Sequence, residues 1–128
     1  IKRSLVEHFI KEVYADPSKI APEVIDRYYD LFTREGNPEA FLTIVNAKFK
    51  DRAADLGQLK APTLIIWGEK DAWLPVSNGY HFQNMIPDSK LVIYEDLGHI
   101  PMEEAPIDTA EDLRDFLLGD AGSLSQTA

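Results

Sequence analysis

An aspartate and a histidine each follow a short apolar stretch of this sequence, and together they could perform acid–base chemistry. Asp71 lies in "LIIWGEKDAWLP", which spans Leu64 to Pro75, and His99 lies in "EDLGHIPMEE". If the two apolar stretches are parallel strands, their carboxyl ends meet at one edge of the sheet and deliver both side chains there. A carboxylate that accepts the Nδ1–H of a histidine fixes its tautomer and stabilises the imidazolium that forms when Nε2 takes a proton. The pair is therefore predicted to be the acid–base half of a nucleophilic triad.

A purely structural role for Asp71, or a different acidic partner for His99, would also fit the sequence. Aspartate is common in the turns that follow strands, so Asp71 could simply close a turn. The catalytic interpretation is preferred because His99 is expected at the same edge of the sheet. Glu69 and Asp96 are the rival acids, and both are interpreted as solvated loop charges.

The remaining histidines and the tryptophan beside Asp71 have less specific signals. His8 and His81 fall within predicted amphipathic helices and are interpreted as partly buried or surface residues. No H-E-x-x-H motif or close group of histidines and carboxylates occurs, so no metal is expected at His99. Trp73 could either pack or face the substrate, and both roles stay open.

Two apolar stretches in the second half of the chain are predicted to be strands of a parallel sheet. Residues 62–67 and 90–95 are short and rich in β-branched residues, as strands covered on both faces are. A helix predicted over 76–86 lies between them and completes a right-handed βαβ unit. A last amphipathic helix follows Pro106 and ends at Gly119.

The first half of the chain shows only helical periodicity. Amphipathic spacing predicts helices over 4–14 and 22–35. A third helix is predicted over 39–56, opened by the Asn-Pro pair at 37–38. The chain is thus expected to be helical up to about Gly57.

The order of these elements resembles the C-terminal end of an α/β-hydrolase, in which the acid follows the penultimate strand and the histidine follows the last. Gly68, Asp71 and Pro75 meet a G-x-x-D-x-x-x-P spacing, and Gly98 and His99 form the small-residue-then-histidine loop. The resemblance implies an α/β fold with a short parallel βαβ unit and flanking helices. It also implies that Asp71 orients His99 as the general base of a hydrolase.

The resemblance divides the chain into three parts. It covers about residues 59–118, and residues 58–119 are expected to be the C-terminal part of the hydrolase core. Residues 1–57 resemble the end of the helical cap that such enzymes carry over their active site. In that setting Tyr28, Tyr29 and Phe32 are expected to pack between helices, or alternatively to line a cavity under the cap. The small polar tail at 120–128 is expected to be disordered.

The family's nucleophile is missing from this sequence. It sits on a turn of the form G-x-S-x-G, or carries Asp in place of Ser in the dehalogenase and epoxide hydrolase branches. None of the serines has glycine on both sides, and the oxyanion-hole segment is absent as well. The serines are Ser4, Ser18, Ser77, Ser89, Ser123 and Ser125. The chain, which begins at Ile1, is therefore expected to be a C-terminal fragment that is inactive alone.

Two functions remain open on this evidence. The first is a parent hydrolase that cleaves an ester or related acyl, carbon–halogen, epoxide or carbon–carbon bond in a small molecule, without a cofactor. The second is a non-catalytic binding or dimerisation module in which the aspartate–histidine pair is a relic. The residues encoded before Ile1 would discriminate between them. A two-stranded sheet leaves edges uncovered, so a homo-oligomer or association with the missing N-terminal half is expected.

Composition excludes several other partners. The 128 residues carry a formal net charge of −9, and no basic stripe is present, so no nucleic-acid partner is expected. The apolar runs are shorter than the roughly 20 residues of a membrane span, so no membrane association is expected. No signal-peptide pattern and no cysteine occur, and the default expectation is a cytoplasmic protein.

Overall fold

A run of helices precedes a small parallel α/β unit in the computed structural model, which describes residues 1–119. The helices are α1 (Arg3–Val13), α2 (Pro22–Thr33), α3 (Asn37–Val45), α4 (Ser77–Met85), α5 (Pro101–Glu104) and α6 (Pro106–Leu118), and the strands are β1 (Thr63–Gly68) and β2 (Ser89–Tyr94). Short 3₁₀ turns lie at Pro17–Lys19 and Ala53–Gln58. We call α1, α2 and α3 the helical segment. The tail predicted at 120–128 lies outside the described residues.

The two strands pair in parallel, which confirms the α/β class predicted from the sequence. Thr63 lies opposite Ser89 and Gly68 lies opposite Tyr94, so both strands end at the same edge of the sheet. Helix α4 connects the two strands and contacts both of them. Each predicted strand differs from the observed one by a single residue at either end, because short β-branched runs bounded by turn residues define strands locally.

The two strands are covered unequally. Leu91 and Val92 of β2 are 1% and 0% exposed. Residues 63–67 of β1, in contrast, are all partly exposed. The better-covered strand joins Leu97 and partly buried apolar side chains of β1 and α6 in the core of the α/β unit. Strand β1 is therefore the open side of the sheet.

Helix α1 supplies the core of the helical segment. Val6, Ile10 and Val13 recur at helical spacing and are all buried. They pack with Tyr14 and with Ile25 of α2. The predicted helices over 4–14 and 22–35 are thus confirmed, with ends that shift by one or two residues.

The third predicted helix is wrong over its second half. Helix was expected over 39–56, but α3 ends at Val45, and residues 46–52 adopt no regular structure. Phe49, one of the side chains that suggested the longer helix, is 77% exposed. Most helical stability in proteins comes from packing an apolar face, and an exposed face provides none. The chain is therefore not helical throughout to Gly57.

One glycine separates α2 from α3, and another ends α6 at the position that the sequence predicts. Gly36 has a φ of 84° between α2 and α3, and Gly119 has a φ of 83° at the end of α6. Both values lie in the left-handed region, which glycine adopts without steric penalty. Over residues 1–119, none of the helices combines the length and the apolar composition needed to cross a membrane.

Glu103 of α5 ties the helical segment to the α/β unit. The hydroxyl groups of Tyr14 and Tyr28 each donate to its carboxylate at 2.9 Å, and the guanidinium of Arg27 donates at 2.8 Å. Burial and the neighbouring carboxylate raise the pKa of both tyrosines above the ordinary value. The protonated phenols are therefore part of what holds the two halves of the chain together.

The stability of the chain should fall in alkaline solution because these phenols must stay protonated to donate to Glu103. Since folding raises their pKa, the stabilisation is complete below the ordinary tyrosine pKa of 10.0 and is lost as the pH rises through the higher folded values. Between about pH 10 and 12, we expect the Tm of the unmodified chain to fall more steeply than that of a Tyr14→Phe, Tyr28→Phe double variant. Circular dichroism melts measure both slopes.

The same double variant should already be less stable at neutral pH, by about 1–3 kcal/mol, because the part-buried Glu103 carboxylate loses two donors. Tyr80→Phe is the control, since Tyr80 is 45% exposed on α4. Equal slopes in all three proteins would contradict the role of the phenols.

Candidate active site

Asp71 and His99 meet at the carboxyl edge of the sheet, as the sequence predicts. Asp71 lies in the loop after β1, and His99 lies in the loop between β2 and α5. The distance from His99 Nδ1 to Asp71 Oδ2 is 2.8 Å. The Asp71 side chain is 4% exposed and that of His99 is 28% exposed. The acid is thus shielded from water, while the histidine keeps one side open.

The two oxygens of the Asp71 carboxylate contact different groups. Its Oδ1 accepts the backbone N–H groups of Trp73 and Leu74, each at 2.9 Å. Its Oδ2 is left for the imidazole of His99. Asp71 therefore both closes the turn and contacts the histidine. The sequence alone leaves these two roles as alternatives. The turn holds the carboxylate in the orientation that reaches His99.

Glycine is required where the His99 loop crosses the end of β1. A methyl carbon added to Gly68 would lie 2.0 Å from the carbonyl oxygen of Gly98 and 2.4 Å from that of Leu97. A methyl carbon on Gly98 would lie 2.6 Å from the carbonyl oxygen of Val13. The loop is thus pressed between β1 on one side and the end of α1 on the other. The N–H of His99 donates to that same Val13 oxygen at 2.8 Å.

The rival acids do not pair with the histidine. Asp96 is 84% exposed at its side chain and bonds the ammonium group of Lys70 at 2.5 Å. This contact lowers the pKa of Asp96 and raises the pKa of Lys70. Glu69 is exposed in the loop after β1. His99 therefore has Asp71 as its carboxylate partner.

The other two histidines lie away from this edge. The side chain of His8 is 66% exposed on α1, with Glu12 one turn away at 3.4 Å. His81 is exposed on α4. Over residues 1–119, no group of three His, Asp or Glu side chains is arranged to hold a metal ion.

An apolar cavity of about 530 Å³ opens between the helical segment and His99. Helices α1, α2 and α3 contribute most of its walls, and Ile1 and the loops after β1 and β2 contribute the rest. Its aromatic side chains are Phe9, Tyr28, Phe32, Phe41 and Trp73. His99 belongs to the same lining. The imidazole therefore stands at the border between a polar loop and an apolar space.

Trp73 forms the contact between this cavity and the histidine. Its ring centroid lies 5.2 Å from that of His99 and 6.4 Å from that of Phe9, with the Phe9 ring edge-on at 83°. Trp73 therefore packs against two aromatic rings and also lines the cavity. Tyr28 and Phe32 also line the cavity, whereas Tyr29 stacks near the Arg3 guanidinium.

The sequence predicts no role for two further lining residues, Leu5 and Phe9. Both lie on the apolar arc of α1 but remain 47% and 41% exposed, while Val6 and Ile10 beside them are buried. The sequence did contain one signal for these residues, because the apolar arc of α1 is wider than packing against the core requires. Its division into a packed part and a cavity part depends on where α2 and Trp73 lie, which periodicity does not reveal.

The sequence and the fold of this chain belong to a known family. Residues 20–106 match the family model of the alpha/beta hydrolase fold, and the chain belongs to that family. The resemblance based on the Asp71 and His99 motifs is thereby confirmed for the family and for the fold.

Individual relatives are hydrolases that are considerably longer than this chain. Lipase 1 of Psychrobacter immobilis is 36% identical over 73 residues, which are 57% of this chain and 23% of the lipase. The hydrolase YugF of Bacillus subtilis is 29% identical over 117 residues, which are 91% of this chain and 42% of YugF. The crystal structure of CarC, a serine hydrolase involved in carbazole degradation, superposes with a TM-score of 0.81 at 28% identity and covers 91% of this chain and 47% of CarC. The chain thus spans less than half the length of each.

Proposed function

We propose that this chain forms the acid–histidine end of an α/β-hydrolase active site, in which His99 is the general base and Asp71 orients it. The observation that carries the proposal is the 2.8 Å contact between His99 Nδ1 and the shielded Asp71 carboxylate. The nucleophile, a serine or an aspartate, is supplied by residues outside this sequence. In this proposal the helical segment is part of a cap over the site, and the chain alone is inactive.

The proposed mechanism follows from the way Asp71 is held. Because Oδ1 is occupied by backbone N–H groups, Oδ2 accepts the hydrogen bond that His99 Nδ1–H donates, and the lone pair on Nε2 stays free. When the nucleophile is a serine, Nε2 takes the proton of its hydroxyl during the attack and later delivers that proton to the leaving group. The carboxylate stabilises the imidazolium between these steps, and its shielding from water strengthens that interaction.

The substrate we propose is a small carboxylic ester with an apolar group. Among the described residues that line the cavity, His99 is the only one with an acidic or basic side chain. A buried charge without a partner is costly, so the group that occupies this space should be uncharged. The similarity to a protein named lipase supports the choice of an ester.

Removal of the base should abolish most of the activity. In the full-length protein that carries this chain, we expect His99→Ala to lower kcat/KM for p-nitrophenyl esters by about 10³-fold or more. His81→Ala is the matched control and should retain full activity, because His81 is exposed on α4. Equal rates for His99→Ala and the unmodified enzyme would exclude the assigned role.

The apolar cavity should make activity depend on acyl chain length. We expect Trp73→Ala to raise KM for p-nitrophenyl hexanoate by about tenfold, the equivalent of about 1.4 kcal/mol of lost apolar contact, and to leave KM for the acetate nearly unchanged. Phe49→Ala removes an aromatic side chain that is 77% exposed and outside the cavity lining, so it should change neither value. A uniform effect of Trp73→Ala on both esters would argue against substrate contact.

The exposed apolar surfaces support a partner for this chain. Ile107 and Leu117 on α6 are 72% and 71% exposed, and β1 is partly exposed along its length. Open strand edges and apolar faces favour association. We propose that the preceding part of the same hydrolase covers them, and that in its absence copies of the chain associate with one another.

Light scattering tests this association. The 128-residue chain alone should form oligomers at micromolar concentration, and co-expression with the upstream part of the protein should convert it to a one-to-one complex. Leu117→Asp should weaken that complex, whereas Glu111→Gln at an exposed polar position of α6 should leave it intact. A stable, well-folded monomer of the isolated chain would contradict the proposal.

A further inference from the structure

The carboxylate of Glu104 joins the His99 loop to the end of α1. Its Oε1 accepts the backbone N–H of Gly98 at 2.5 Å, and its Oε2 accepts the backbone N–H of Ala15 at 2.9 Å. Gly98 directly precedes His99, and Ala15 lies just after the end of α1. One side chain thus bridges two backbone segments that are more than 80 residues apart in sequence.

A second contact runs between the same two segments. The N–H of His99 donates to the carbonyl oxygen of Val13 at 2.8 Å. The glycine crossing at Gly98 brings the backbones close enough for both contacts, since no side chain separates them. The loop that carries His99 is therefore attached to the helical segment immediately before the histidine and at the histidine itself.

We propose that Glu104 is a positioning residue for His99. By holding the Gly98 N–H, it sets where the His99 backbone lies and hence whether Nδ1 reaches Asp71. By holding the Ala15 N–H with its other oxygen, it makes the position of the histidine depend on the docked helical segment. The proposal deepens the proposed function and rests on His99 being the general base.

The chemistry of this site requires a carboxylate of this length. Two N–H donors approach different oxygens, and a carboxylate offers an acceptor to each. A glutamine amide offers one acceptor, while its NH₂ group is a donor and would face the other backbone N–H. Removing one acceptor leaves a part-buried donor unpaired, which costs more than the hydrogen bond itself contributed.

The neighbouring carboxylate serves a different purpose. Glu103 accepts its hydrogen bonds from the side chains of Tyr14, Arg27 and Tyr28. It therefore holds helices α1 and α2, whereas Glu104 holds the backbone of the His99 loop. Glu103 thus docks the helical segment, and the adjacent Glu104 places the histidine.

Nuclear magnetic resonance tests the positioning role of Glu104 without a measurement of enzyme activity. In Glu104→Gln, the amides of Gly98 and Ala15 should exchange at least about tenfold faster with solvent. The downfield resonance of His99 Nδ1–H should broaden or move upfield as its contact with Asp71 loosens. Glu95→Gln, at an exposed carboxylate in the same loop, should leave both signals unchanged. An unchanged His99 resonance in Glu104→Gln would overturn the proposal.

Kinetics of the full-length hydrolase separate positioning from a general loss of stability. We expect Glu104→Gln to lower kcat by at least about tenfold, because sub-ångström misplacement of a base slows the reaction, and to leave KM within about twofold. In a His99→Ala background, the same change should cause no further loss of rate. A further loss in that background, or a loss confined to KM, would overturn the positioning role.

These experiments also distinguish failure of this inference from failure of the proposed function. If the unmodified full-length protein hydrolyses no ester, the proposed function fails. The resonance measurements on Glu104→Gln still test whether Glu104 positions His99. If Glu104→Gln does not fold, hydrogen exchange of the unmodified protein tests whether Glu104 holds the two amides. Slow exchange of the Gly98 and Ala15 amides would support the positioning role of Glu104, and exchange at unprotected rates would overturn it.

Discussion

The close crossing of three backbone segments at Gly98 is the constraint on which the rest of the structure depends. The end of β1 lies on one side of the loop and the end of α1 on the other, and neither Gly68 nor Gly98 has room for a methyl group. Because no side chain intervenes, the loop can exchange hydrogen bonds directly with Val13 and, through Glu104, with Ala15. The crossing thus places the histidine relative to the sheet and relative to the helical segment at once.

The aspartate–histidine pair is built on that crossing, and its polar groups are satisfied locally. A shielded carboxylate is costly unless it is hydrogen-bonded, and Asp71 receives two backbone N–H groups and the imidazole. The turn that follows β1 therefore stabilises the acid and aims it in the same arrangement. His99 remains partly open towards a cavity that is lined mostly by apolar side chains.

The helical segment contributes to the site by lining the cavity and by contacting the His99 loop. Its apolar faces form most of the cavity, and Glu103 holds its tyrosines and arginine against α5. Glu104, the next residue, holds the loop that carries the histidine. The contacts that hold the helices and the contact that holds the His99 loop are therefore linked through one short helix, α5. The partly exposed β1 and the exposed face of α6 indicate where the rest of a hydrolase core would be expected to pack.

The sequence by itself determined the elements that depend on local chemistry. The strands, α4 and α6 were predicted to within about one residue because hydrophobic periodicity and turn residues act over short distances. The pairing of Asp71 with His99 was predictable as well, since parallel strands bring their carboxyl ends to one edge. Only the tertiary structure decided where α3 stops, that Phe9 faces a cavity, and that Glu103 and Glu104 connect the two halves of the chain. These features rest on contacts between residues far apart in sequence, and the free energy of such contacts depends on packing that no local pattern encodes.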